Sequence, residues 1–135
     1  GDTIYIGRDD STREHIEELY DDCFVLECEV IEVKEKPSVP IGVSGYASLN
    51  RKPVFEDRGI MKRAICSIGR QDIDLDLIPL TEGIKVLEAS SDHLLLDVTH
   101  SAAEVRVGDK LRFKMQYAAI MRAFTSCYVE KEYKN

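Results

Sequence analysis

The sequence predicts an all-β fold, a barrel of about seven strands with one or two short helical turns. Apolar residues recur in runs of strand length, with Gly, Pro, Asp and Asn turn signals between them. One run changes phase part-way along, as a strand does when it bends around a barrel. The stretches with helical spacing are too short to stand as independent helices.

In chain order, Gly1-Asp2 precedes the alternating Thr3-Ile4-Tyr5-Ile6-Gly7, which reads as the opening of a strand. Ser11-Thr12-Arg13-Glu14 has the spacing of a capping box ahead of a short helical piece, His15 to Tyr20. Phe24, Leu26, Cys28 and Val30 then alternate with Glu27 and Glu29 as a half-buried strand. The pattern slips by one at Ile31 and Val33, with Glu32 and Lys34 now polar, which is the sequence form of a β-bulge. Pro37 and Pro40 close this strand, and a glycine-punctuated loop, Gly42 to Asn50, follows. Ile60 to Ile68 and Ile84 to Leu87 read as strands separated by the acidic turn Asp72-Ile73-Asp74-Leu75-Asp76. That turn lacks the glycine and the closing glutamate of a calcium loop and reads as a solvated turn. Leu94-Leu95-Leu96 with Val98 is an apolar run of the kind covered on both faces. Leu111, Phe113 and Met115 alternate behind a second Gly-Asp pair, Gly108-Asp109. Ala118 to Ala123 predicts one or two helical turns, and Cys127 to Tyr133 a last strand.

With 135 residues, 1–135 reads as a single domain able to bury a core of its own. Eighteen basic against 25 acidic residues give a net charge of −7, with no basic stripe, which argues against nucleic acid or an anionic membrane as partner. No apolar run approaches the roughly 18 residues of a membrane span. The four cysteines, Cys23, Cys28, Cys66 and Cys127, show no CxxC spacing, and three lie in apolar strand patterns. They read as small buried hydrophobes in a reducing compartment, consistent with a cytoplasmic location. The histidines, His15, His93 and His100, pair with no cysteine at ligand spacing, so no metal site is expected. A chain opening at a strand start without a leader reads as an excised domain or a processed chain.

The most informative stretch is Glu88 to Thr99, in which Ser90-Ser91-Asp92 stands directly ahead of the apolar Leu94 run. Two hydroxyls and a carboxylate at the mouth of a buried strand are costly unless they find partners, so the stretch is a hydrogen-bonded corner or a site. Together with Asp97-Val98-Thr99, it resembles the C-terminal β-domain of pyridoxal-phosphate enzymes of the alanine racemase and ornithine decarboxylase type. The racemases carry Cys-Met-Asp-Gln before a strand ending Asp-Val-Thr, and the decarboxylases carry Cys-Asp at the corresponding turn. Lys36-Pro37-Ser38-Val39-Pro40-Ile41-Gly42, Gly69-Arg70-Gln71-Asp72 and Ser90-Ser91-Asp92-His93-Leu94 are similar to phrases of the ornithine racemase branch, in the same order.

This resemblance implies an alanine racemase C-terminal-like barrel, preceded in the full enzyme by a (β/α)₈ domain that holds pyridoxal 5'-phosphate covalently through a lysine. It implies that this domain packs with its own N-terminal barrel and completes the active site across a homodimer, with an amino acid as substrate. None of the barrel's hallmarks is in the sequence, so the isolated chain is not expected to turn over substrate. Asp92 falls where the decarboxylases bind the distal ammonium of substrate, and a turn aspartate capping its own backbone is the alternative reading. Ser91 replaces a cysteine or methionine of the family and has no adjacent activator, so it orients substrate, relays a proton or satisfies backbone groups.

Arg70 stands where alanine racemases place their second catalytic base, a tyrosine, in Ile-Gly-Tyr-Ala-Asp-Gly. A guanidinium is no base near neutrality; it suits a bidentate grip on a substrate carboxylate, or a structural pair with Asp72. The second base is then open, with Tyr46, His93 and Tyr117 as deputies. Tyr117 matches the tyrosine of the decarboxylases' Gly-Ala-Tyr, which touches the cofactor phosphate, although Met115-Gln116 replaces the residues before it. The resulting expectation is a racemase of ornithine or a similar amino acid. The β-domain of a basic amino-acid decarboxylase, or a non-catalytic β-barrel binding module, is the alternative.

Overall fold

The computed structural model describes residues 1–9, 11–39, 57 and 59–134. The expected all-β barrel is observed, with six strands and two helices among these residues. Helix α1 spans Asp2–Ile6, followed by strands β1 (Val25–Pro37), β2 (Ile60–Cys66), β3 (Leu77–Pro79), β4 (Lys85–Ala89), β5 (Leu94–Asp97) and β6 (Lys110–Met115), and then helix α2 (Tyr117–Thr125). The strands form one antiparallel sheet in the order β3-β6-β1-β2-β5-β4. Its outer strands, β3 and β4, approach each other, and the sheet curls into a nearly closed barrel.

β1 is the spine of this sheet, and its bulge lies where the polar pattern slips. Its first half pairs with β6, Leu26 opposite Phe113 and Cys28 opposite Leu111. Its second half pairs with β2, and the register jumps from Val30 opposite Cys66 to Glu32 opposite Ile65. Ile31 is the extra residue and is exposed, while Val33 packs against the core. The inward row of β1 (Leu26, Cys28, Val30) meets Ala64 and Cys66 of β2, Leu94 and Leu96 of β5, and Leu111, Phe113 and Met115 of β6 in one core. α2 adds Ala119 and Ala123 to it. The Cys28 thiol is pushed far above its ordinary value by its hydrogen bond with Cys66 and by burial, so it behaves as a small apolar filler. Cys23 and Cys127, in contrast, are exposed. β5 is buried at Leu94, Leu96 and Asp97, with Leu95 half-buried.

Several elements depart from the sequence pattern. The strand expected after Gly1-Asp2 is α1 instead: Ile6 buries itself, Tyr5 meets Phe24 edge-on at 6.5 Å, and Gly7 closes the turn at φ 65°, donating to Thr3 O at 2.9 Å. The capping box and the helix at His15–Tyr20 do not form. The Asp9 carboxylate takes the N–H groups of Ser11 and Thr12, Arg13 adopts φ 62°, and Arg8 bridges to His15, which fixes the stretch as turns. Cys127 to Tyr133 joins no ladder, and Tyr128 and Tyr133 stand out in solvent. β3 was not expected, because three residues ending in proline carry no strand period, and such a segment fits only at a sheet edge. The glycine loop from Gly42 lies outside the described residues.

Asp21 fastens the N-terminal segment to the barrel. Its carboxylate accepts from Arg8 Nη2 at 2.8 Å and from Lys114 Nζ of β6 at 2.6 Å, all three side chains being largely buried. The hydrogen bond from Lys114, and then that from Arg8, holds the Asp21 carboxyl below its ordinary 3.8. A depressed carboxyl contributes stability that is fully present above the unfolded-state value and lost as pH falls through the folded-state value. Asp21→Asn is therefore expected to cost on the order of 1–3 kcal/mol at neutral pH. The gap from wild type should close in denaturation curves taken below about pH 4, whereas a pH-independent gap would mean that the ion pairs contribute nothing.

Candidate functional site

Two tight turns are pressed together at one rim of the barrel. The first closes the β4–β5 hairpin: the Ser90 N–H donates to His93 O at 2.9 Å, and Ser90 Oγ accepts from the N–H groups of His93 at 3.1 Å and Asp92 at 3.4 Å. Ser90 thus satisfies the strand-end backbone. Ser91 does something else: its hydroxyl donates to Asp92 Oδ2 at 2.7 Å. Ser91, Asp92 and His93 are all exposed. The result is a solvent-facing carboxylate whose direction is fixed by its neighbour's hydroxyl.

The second turn follows β2. Gly69 O accepts from the N–H groups of Asp72 and Ile73, both at 3.0 Å, and the fully buried Ile73 anchors it in the core. From this turn the Arg70 N–H reaches Ser90 O at 2.8 Å and the Gln71 N–H reaches Ser91 O at 3.0 Å. Gly69 sits where a β-carbon would lie 2.4 Å from both Asp92 N and Ser91 O, so only glycine permits this contact. The Arg70 guanidinium is turned back along β4, with Nε donating to Ala89 O at 3.2 Å and Nη2 to Glu88 Oε1 at 2.8 Å. Its partner is therefore Glu88. Asp72, read from sequence as a candidate partner, accepts from Ser126 Oγ at 2.6 Å. Asp76 pairs with Arg13, and Asp74 faces Arg122 at 3.8 Å, so the acidic turn is a hub of contacts where a freely solvated turn was expected.

α2 brings in Tyr117. Gln116, in extended conformation at the N-cap, donates its N–H to Asp76 O at 3.1 Å but provides no side-chain cap. Its side chain is buried, and Oε1 has no partner among the described residues. Tyr117 begins the helix and is 54% exposed. From the other end of α2, Arg122 Nη1 donates to Arg70 O at 2.8 Å. Tyr117 and Arg122 are about 7.5 Å apart along the helix axis. The structure thus brings Arg70, Ser91 and Asp92 into one assembly and ties Tyr117 to it through α2. Tyr46 lies outside the described residues.

Arg122 was not singled out in the sequence, and Glu88 and Gly69 entered only as members of longer phrases. A basic residue in the last turn of a helix is ordinary, as is a glutamate at a strand end. Gly69 alone carried a signal, being a glycine directly after an apolar strand.

The N-terminus of α2 fits the phosphate of pyridoxal phosphate: it has first-turn N–H groups without a side-chain cap and an exposed phenol beside them. No helix among the described residues is long and apolar enough to cross a membrane.

No protein-family model matches the chain. It is 52% identical over 135 residues to a lysine racemase of Thermotoga maritima, a match covering 99% of this chain and 38% of that relative. It is 45% identical over 133 residues to an ornithine racemase of Acetoanaerobium sticklandii, covering 98% of this chain and 38% of that relative. The chain thus spans well under half the length of the curated relatives it matches. From end to end, then, it is homologous to a domain-sized part of amino-acid racemases.

Proposed function

We propose that this chain is the C-terminal β-domain of a cytoplasmic, pyridoxal-phosphate-dependent racemase of a basic amino acid such as ornithine or lysine. In this reading a separate (β/α)₈ domain of the same protein holds the cofactor, and this domain completes the active site across a homodimer. The cofactor, when bound, supplies the electron sink that acidifies the substrate α-carbon. This chain supplies recognition and anchoring. Tyr117 and the first N–H groups of α2 hold a phosphate, and Asp92 takes the distal ammonium of the substrate, with Ser91 keeping its carboxylate aimed.

The observation that carries the reading is the exposed Asp92 carboxylate, oriented by Ser91 Oγ at 2.7 Å and seated on a backbone-locked turn. A flexible surface aspartate would spend binding energy on its own ordering; this one is already ordered. Both curated relatives are named for amino acids with a distal ammonium.

In the full-length enzyme, Asp92→Asn should raise KM for ornithine or lysine roughly tenfold to a hundredfold, the effect of losing a charge-assisted hydrogen bond worth about 1.5–3 kcal/mol. KM for alanine, which has no distal ammonium, should change little. An equal effect on both substrates would make Asp92 structural. A wild-type enzyme that racemises no basic amino acid would overturn the functional reading itself.

A further inference from the structure

The first half of β1 is paired on one edge only. Its ladder with β6 has an alternation fixed by the Met115 N–H on Phe24 O at 3.4 Å and the Val30 N–H on Asp109 O at 2.8 Å. Phe24, Leu26, Cys28 and Val30 therefore turn their backbone groups toward β6, while Val25, Glu27 and Glu29 turn theirs the other way. On that other edge β2 stops at Cys66, opposite Val30, and the Ser67 N–H takes Glu29 O at 3.0 Å. Among the described residues, the backbone groups of Val25 and Glu27 have no backbone partner on this edge. They border a cleft of about 830 Å³ whose other wall is the tail after α2, Tyr128 to Lys134. Core residues Leu26, Cys28, Ile68 and Met115 reach its floor. Burial along the tail alternates as in a strand, with Val129 and Lys131 half-buried between the exposed Tyr128, Glu130 and Glu132. The arrangement is an open strand edge, an apolar floor and a strand-like wall, with a slot between them.

We propose that this slot receives an extended segment of the racemase from outside these 135 residues, which pairs with Val25 and Glu27 as a further strand. The inference rests on the reading of this chain as one domain of a longer enzyme. The match covers 38% of each racemase relative, so most of either polypeptide lies beyond the matched part. A free edge recruits a strand through main-chain hydrogen bonds, and alternate side chains reaching a floor give the pairing its register. Two other occupants fit less well. A second copy of this edge, paired about a two-fold axis at Glu27, sets Glu27 against Glu27, and like charges directly opposite are destabilising. The tail, closing onto the edge, brings the exposed Glu130 and Glu132 beside Glu27 and Glu29 with the same penalty. Its Lys131 ammonium is moreover turned back onto Ser126 O. These two acidic rows line one slot, and Lys110, 3.4 Å from Glu27, offsets part of their charge. The segment they suit carries apolar side chains toward the floor, alternating with Lys or Arg toward solvent.

The test uses the full-length racemase and reads hydrogen exchange at single amides of β1. The Leu26 and Cys28 amides face β6 and serve as internal standards. With a strand in the slot, the Val25 and Glu27 amides should exchange within about tenfold of those standards, as members of one cooperative sheet do. Faster exchange than this at both positions overturns the proposal. The occupant is identified by a photo-crosslinking benzoylphenylalanine in place of Val25, a half-buried position at the strand's start. The expected adduct is a peptide from outside residues 1–135, with basic and apolar residues alternating. An adduct with Tyr128 to Lys134 would mean that the tail itself closes the slot, and one joining position 25 of two subunits would mean that a second copy does. Either overturns the proposal, as does an adduct with any other residue of 1–135. If the edge is protected by an outside peptide in an enzyme that racemises no basic amino acid, the functional reading fails and the docking stands.

Discussion

Phe113→Ala is expected to destabilise the domain by about 3–5 kcal/mol, the range for deleting a buried aromatic ring. Phe113 is fully buried at the middle of β6, paired with Leu26 of β1 on one side and Pro79 of β3 on the other. Three strands therefore depend on the volume of one ring. Backbone hydrogen bonds on both sides hold β6 in place, so the site cannot collapse to fill the void, which puts the loss toward the upper end of the range. Against a typical stability of about 5–15 kcal/mol, this is a large fraction of the whole. Urea denaturation should show the midpoint falling with little change in slope. Phe113→Leu, which keeps most of the volume, should lose less than about 1.5 kcal/mol. A small loss in Phe113→Ala would mean that the barrel interior is loosely packed at its centre.

Gly69→Ala is expected to be the most damaging single methyl group at the rim. The added carbon would lie 2.4 Å from backbone atoms of both Ser91 and Asp92, and neither can swing aside as a side-chain tip does. The two turns must separate, which costs about 1–3 kcal/mol of overpacking and breaks the N–H contacts from Arg70 and Gln71. Displacing Asp92 by about 1 Å should lower kcat/KM for a diamino acid roughly a hundredfold in the full-length enzyme. Gly69→Ala should thus lose activity well before it loses its fold, a split visible by comparing circular dichroism with turnover. Unimpaired turnover would show that the position of the Ser91–Asp92 turn is irrelevant to the chemistry.

The barrel was legible where burial alternates sharply. Glu27 and Glu29 against Glu32 and Lys34 placed the bulge to within a residue, because a one-residue slip reverses which face is wet. Local pattern misled where a few side-chain contacts decide the backbone. Thr3 to Gly7 alternates like a strand, yet it is a helix, with Ile6 buried and Tyr5 edge-on to Phe24. His15 to Tyr20 has helical spacing, but the single turn that Asp9 caps ends at Arg13, whose φ is 62°, and Arg8 then bridges to His15. Cys127 to Tyr133 has strand composition but pairs with no edge, and composition alone forms no ladder.

At the site, the residue types were legible but their partners were not. Ser90 and Ser91 look alike in sequence, yet one serves the backbone and the other the Asp92 carboxylate. Arg70 was legible as a departure from a motif, but its pairing with Glu88 spans 18 residues and follows from the β4–β5 register rather than from spacing.

The bulge in β1 has a consequence for the evolution of the site. The hairpin bearing Asp92 belongs to the ladder on one side of that bulge, and α2 continues from the strand that pairs on the other. A one-residue insertion or deletion near Ile31 would leave each ladder intact and rotate one against the other. On the proposed reading, such a change would move the Asp92 turn against α2 without replacing a residue of either.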